Sequence, residues 1–393
     1  MNRLFIPPCR RRNARRGSQQ RGMSLIETMV GMALGILVTL VITEVWGVFE
    51  SQKQRTVSGS SAQASGLLAL TELEQDIRSA GAGLTDSAAF ECTSTYSYFE
   101  TGGTSVFPIP AYSGGMAMVP VQITDGGTGS DTLTVKRGAD LLGALPATLT
   151  QTMPSSSAEL NLSSVAGFAD GDVVLAVDST TGNCTVMLVT QVQGAALKLQ
   201  HNPGGTTTYN PTASFQDTNG WPAFSTGAKI FKVGQLISHA YTVNASNQLV
   251  MTDYSTPSAA ATFILAADIV RLKAQYGVAN VGSQDVNHWV SATAGAVGAP
   301  LTDWSILDRN NVKRIKAIRL VIVARSSKKE GTNVTGTCTN VSGGVNNGPC
   351  AWSDSVADPA PLIDLSSNAD WQKYRYRVYQ TIIPIRNVIW AGV

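Results

Sequence analysis

Five cysteines, three histidines and two acids in a glycine-rich turn are the side chains here with the most obvious chemical potential. The histidines are His201, His239 and His288, and none stands at metal-ligand spacing from another His or a Cys. A serine-type triad would need one of them beside an acid and a nucleophile. Serines are so numerous that this combination carries no information. Asp125-Gly-Gly-Thr-Gly-Ser-Asp131 offers oxygen ligands of the kind calcium takes, but it lacks the spaced acids and closing Glu of an EF-hand. It reads better as a turn before a strand. The glycine-rich runs lack the Lys-Ser/Thr of a phosphate loop. Tyr374, Arg375, Tyr376, Arg377 and Tyr379 could stack on nucleic-acid bases, yet the same alternation is ordinary on an amphipathic strand. No catalytic residue, metal or cofactor is expected, and no nucleic-acid partner.

Cys9 lies in a basic stretch. Cys92, Cys184, Cys338 and Cys350 form an even set that could close two disulfides in an oxidising compartment. Cys338 and Cys350 bracket the polar segment TNVSGGVNNGP, which has little to pack and gains from a covalent tie. Pairing them leaves Cys92 with Cys184. Four free thiols in a reducing compartment are the alternative.

The charge is unevenly spread. The 393 residues carry a formal +2, but residues 1–22 hold seven arginines and no acid. Setting those aside leaves 22 basic and 27 acidic residues, so the body carries −5. That is no footprint for nucleic acid, and the basic start belongs to targeting. With 43% hydrophobic and only 14% charged residues, the composition suits an exported protein better than a cytosolic enzyme.

One further side chain stands out against this background. Thr28 to Thr43 is a run of sixteen residues without a charge, preceded by Glu27 and followed by Glu44. Met23 to Phe49 is long enough to cross a bilayer as a helix, and the arginines before it place the N-terminus in the cytoplasm. A carboxylate at the end of such a span is costly without a partner. An ordinary secretory signal does not fit, because the small-residue site Ala62-Gln63-Ala64 sits far beyond the apolar end. A plain signal anchor explains the hydropathy and leaves Glu27 idle at headgroup level. Cleavage after Gly22 explains it: Met23 gains a cationic α-amino group, which Glu27 of a neighbouring copy can pair with. Apolar surroundings would make that pair sensitive to register. Gly31 and Gly35 form a G-x-x-x-G that permits close helix contact in lipid.

Arg21-Gly22-Met23-Ser24-Leu25-Ile26-Glu27 resembles the type IV prepilin cleavage motif. The resemblance implies a membrane peptidase that cuts after Gly22 and N-methylates Met23. Along the body, the order of several looser segments is similar to that of PilW-type minor pilins. These segments are Leu73 to Gly81, Gly171 to Leu175 with Cys184, Asp268 to Val278, Ile318 to Ser326, and Tyr374 to Asn387. The resemblance implies a pilus subunit that helps initiate assembly with other minor pilins and the major pilin, in a tip complex where a tip adhesin is a further candidate partner. Adhesion, twitching motility or DNA uptake would be the processes served. The rival within the same class is a minor pseudopilin of a type II secretion system. From another class, the rival is an exported enzyme on a signal anchor.

These residues require a long helix and a scaffold behind it. Leu67, Leu70, Leu73, Ile77 and Ala80 recur at three- and four-residue steps, with Glu72, Glu74, Gln75, Asp76 and Arg78 on other faces. Gly81 and Gly83 then stop the helix. The pattern predicts one extended N-terminal helix, with a break at Ser58 to Ser61 as the alternative. Strands are expected at 132–137, 172–177, 184–190, 228–233, 237–243, 248–252, 269–276, 315–325 and 374–385. Residues 278–312 are weakly patterned. The expected fold is α+β: a cleaved leader 1–22, a transmembrane and pilus-core helix 23–49, a helical extension 50–82 packing on the head, and a β-rich head 83–393 outside the inner membrane.

Overall fold

The computed structural model describes residues 22, 24–84, 86–101, 104–106, 118–139, 145–204, 209–255, 260–293, 303–307, 309–352 and 355–390. The chain divides into two compact units, Met1–Thr56 and Val57–Val393. A single helix, Leu25–Ser79, runs through the division without interruption. The alternative break at Ser58 to Ser61 does not occur. Ser58 is buried, and the Ser60 hydroxyl donates to the Val57 carbonyl at 2.9 Å, a back-bond that the helix accommodates without a break.

From Thr28 to Thr43 the helix is apolar on every side, and none of its most apolar eighteen residues is buried. Its few hydroxyls are satisfied internally. Those of Thr28, Thr39 and Thr43 donate to the carbonyls of Leu25, Ile36 and Leu40, each at 2.8 Å. A helix of this kind leaves no unpaired backbone group along its middle, which is the condition for life in hydrocarbon. It fits a single-pass membrane anchor.

The second unit is the β-rich head together with the end of the helix. One antiparallel sheet runs in the order Ala261–Ala267, Gln248–Asp253, Leu236–Val243, Thr132–Gly138, Val121–Thr124. A second runs Val286–Val290, Ile269–Ala279, Ile315–Arg325, Tyr376–Pro384, also antiparallel. Ile315–Arg325 is rich in β-branched residues and is buried on both faces for ten of its eleven positions, as a central strand should be. A third, mixed sheet runs Ser94–Tyr96, Asn183–Leu188, Val173–Asp178, Lys229–Lys232, Ala147–Thr148. The expected hairpin is its centre, with Val173 opposite Leu188 and Asp178 opposite Asn183.

The main core joins Leu73 and Ile77 of the helix to Val135, Leu272, Ile318 and Ile383 of the first two sheets. A smaller core under the third sheet gathers Leu149, Val174, Met187, Phe224 and Ile230. The weakly patterned stretch holds more structure than its sequence promised. Val286–Val290 pairs with the long Ile269–Ala279 strand, and Arg309–Arg314 is a short helix.

Candidate assembly site

The processing residues sit at the start of the helix. Gly22 is exposed, and Glu27 lies in the helix's first turn, also exposed. Met23 lies outside the described residues. Leu25 and Ile26 beside Glu27 are 77% and 71% exposed, so the carboxylate stands on an apolar surface. At Gly31 and Gly35 nothing lies within 4 Å of where a Cβ would sit, so this face is open to a close approach.

From residue 57 onward the helix buries a narrow stripe: Ser58, Ala62, Gly66, Ala69, Leu73 and Ile77. The spacing is four, four, three, four and four, one line along a helix. The upper members are small because the helix passes close to the Tyr376–Pro384 strand. A Cβ on Gly66 would lie 2.1 Å from Cε2 of Tyr379, whose hydroxyl donates to the Gln63 carbonyl at 3.2 Å. Apolar spacing revealed the lower half of this stripe. The small upper half carried no hydrophobic signal.

Asp76 fastens the other side of the helix. Its carboxylate accepts from Nδ1 of His239 at 2.9 Å and from the Tyr241 hydroxyl at 2.8 Å, with Arg137 Nε at 3.4 Å. Burial pushes the Asp76 carboxyl up, but His239, Tyr241 and Arg137 outweigh it and hold it below the usual range. Burial, and after it the same carboxylate, drives the Tyr241 hydroxyl upward. The helix end is then bound by backbone. Gly81 N–H donates to the Lys136 carbonyl at 2.9 Å, Gly138 N–H to the Ala82 carbonyl at 2.8 Å, and Asn387 Nδ2 to the Ala80 carbonyl at 2.9 Å. Lys136 is almost wholly enclosed, and desolvation lowers its ammonium to about 8.

The remaining sequence candidates have structural partners. His201 is buried and its Nε2 lies 2.7 Å from the Ala158 carbonyl, while His288 Nδ1 lies 3.2 Å from Asp358. The structure thus distributes the three histidines among separate contacts. The Asp125 to Asp131 turn wraps around the ammonium of Lys273, which donates to Asp131 at 2.6 Å, to the Gly127 carbonyl at 2.7 Å and to Asp125 at 3.3 Å. An oxygen-lined loop is there, filled by an amine from a strand 142 residues away. Cys92 is bonded to Cys184 inside the main core, and Cys338 to Cys350 near the surface. Sequence reasoning passed over Asp76, Arg137 and Lys273 as partners, because a lone charge in an apolar or mixed segment looks like solvated surface until its partner is placed.

No curated protein and no solved structure matches the chain. Residues 237–387 match the family model PilW, the type IV pilus-assembly protein W. The matched region contains all four strands of the second sheet, including the Tyr379 strand against which the helix packs. Together with the long apolar helix ahead of the β-rich head, this match supports a PilW-type type IV pilus protein, involved in pilus assembly among other pilus components.

Proposed function

We propose that the chain is a minor pilin, cut after Gly22 by a prepilin peptidase and N-methylated on Met23. Before assembly it is held in the inner membrane by the helix, with its N-terminus cytoplasmic. It then enters a type IV pilus, helps to initiate assembly with other minor pilins and the major pilin, and stands at the tip. It acts by assembly and not by catalysis. The observation that carries this reading is Glu27, exposed in the first turn of a helix that bears no other charge until Glu44. In hydrocarbon such a carboxylate needs a cation, and the amine created at Met23 of a neighbouring subunit is of the right sign and at the right end. The PilW match in the head supports the same reading.

N-terminal mass spectrometry of protein from membranes and from sheared pili tests it. The expected product starts at N-methylated Met23. A working protein that keeps its arginine-rich start, or one that starts near Ser65, would overturn the reading.

A further inference from the structure

Among the strands that end the sheets of the head, Tyr376–Pro384 and Ala261–Ala267 each have one edge with no further strand paired to it among the described residues. The backbone of the first is ready for another strand. Ile385 N–H donates to the Lys316 carbonyl at 2.9 Å, and Ser326 N–H to the Arg375 carbonyl at 2.8 Å. With the register between them, these bonds fix the alternation. Ile318 with Ile383, Leu320 with Thr381 and Ile322 with Tyr379 are bonded pairs. Arg319 with Ile382, Val321 with Gln380 and Val323 with Val378 are the pairs between. The N–H and C=O groups of Val378, Gln380 and Ile382 therefore point away from the sheet.

A cleft of about 510 Å³ adjoins this edge, lined by Trp289, Arg319, Trp352, Gln380, Thr381 and Ile382. Its walls are fixed. The Arg319 guanidinium lies 5.1 Å from the Trp289 ring centre and 4.5 Å from that of Trp352, and its Nε donates to Gln275 Oε1 at 2.6 Å. The Trp289 ring covers Gly277, where a Cβ would come within 2.7 Å of it. Trp352 follows two residues after Cys350, whose disulfide anchors the loop. This is a preformed, mainly apolar hole of ligand size, walled by two tryptophans.

The second edge is the converse. Ala261–Ala267 reads ATFILAA, with no charge and no proline, and Phe263 and Ile264 are 50% and 62% exposed. Natural edges are usually blunted by charge, proline or a covering element, and this one has none of these along the strand. The two strands are seven and nine residues long. An uncharged strand also meets no repulsion from exposed Arg377 on the facing edge.

We propose that these edges are two halves of one contact between copies of this chain. Ala261–Ala267 of one copy adds as a further strand to Tyr376–Pro384 of the next, and an apolar side chain, Phe263 or Ile264, fills the Trp289–Arg319–Trp352 cleft. Backbone pairing supplies the affinity and the cleft sets the register. Because the two surfaces differ, the contact is head-to-tail and not the self-complementary contact of a two-fold dimer. The inference concerns the head alone and does not depend on processing at Gly22.

The test uses full-length protein in lipid vesicles, in a Cys9→Ala background. Gln380→Cys and Phe263→Cys proteins are reconstituted separately and together, and each sample, its thiols reduced beforehand, is then treated with a mild oxidant that takes up the two electrons of disulfide formation. The expected result is a disulfide-linked dimer in the mixture and none with either protein alone. Ile382→Pro removes an outward N–H without touching the ladder to Ile315–Arg325, and Ile264→Arg brings a charge to the cleft. Each should cut the linked yield about tenfold, with the thermal midpoint unchanged. No dimer in the mixture, self-linking of Gln380→Cys alone, or full yield with both blocking variants would overturn the proposal.

Discussion

Only 11% of the Asp76 side chain is exposed, yet its partners keep it ionised. A carboxylate held below its unfolded value contributes stability above that value, near pH 4, and the contribution is lost as pH falls through the lower folded value. The full-length protein should therefore lose thermal stability steeply below about pH 4, and Asp76→Asn should flatten that part of the profile. At neutral pH the same substitution should cost about 2 kcal/mol, because His239 and Arg137 lose a charged acceptor. An Asp76→Asn profile superimposable on the parent's would show that the helix is fastened elsewhere. Glu27 belongs to the other kind of residue, one whose partner is not in its own chain. Glu27→Ala should leave cleavage after Gly22 intact and sharply reduce the amount of protein recovered in sheared pili. Normal recovery would remove the charge pair from the account.

At the scale of elements, the helix from residue 57 onward is held by shape above and by hydrophobic burial below. Leu73 and Ile77 are fully buried, and Leu73→Ala should cost about 2–5 kcal/mol in chemical denaturation. Gly66→Leu should do comparable harm for the opposite reason, since the added atoms enter the space of the Tyr379 ring. If Gly66→Leu melts like the parent, the close approach is not needed. This division also explains what the sequence made legible. Long apolar or alternating runs such as Ile315–Arg325 and Leu236–Val243 announced themselves, as did the apolar steps at Leu73 and Ile77. Ala261–Ala267 did not, because an uncharged run flanked by small residues has no period that distinguishes strand from loop. The Trp289–Arg319–Trp352 cleft was illegible for a different reason. Its members come from three strands and a loop, and the registers of Gly277 opposite Trp289 and of Arg319 opposite Ile382 bring them together. Lys273 inside the Asp125 to Asp131 turn is the same case, since spacing along the chain cannot reveal an amine supplied by another sheet.

Across the head as a whole, the two disulfides stand in very different environments, and this sets the order in which the protein should come apart. Cys92 and Cys184 are fully buried in the main core and lie 92 residues apart, so their bond closes a long loop of the unfolded chain. Cys338 and Cys350 are half-buried and 12 residues apart. Loop-closure entropy assigns the long link roughly 4–5 kcal/mol and the short one about 3. Thiolate attack needs access, so a mild reductant under native conditions should open Cys338–Cys350 first. That opening frees the loop carrying Trp352, and tryptophan emission should change as its indole leaves the Arg319 guanidinium, while the far-ultraviolet spectrum stays constant. Cys92–Cys184 should resist until the head unfolds. In denaturant, replacing Cys92 and Cys184 together by alanine should lower the midpoint more than replacing Cys338 and Cys350 together. Equal losses, or reduction of the buried pair first, would mean that the main core opens more readily than its burial allows.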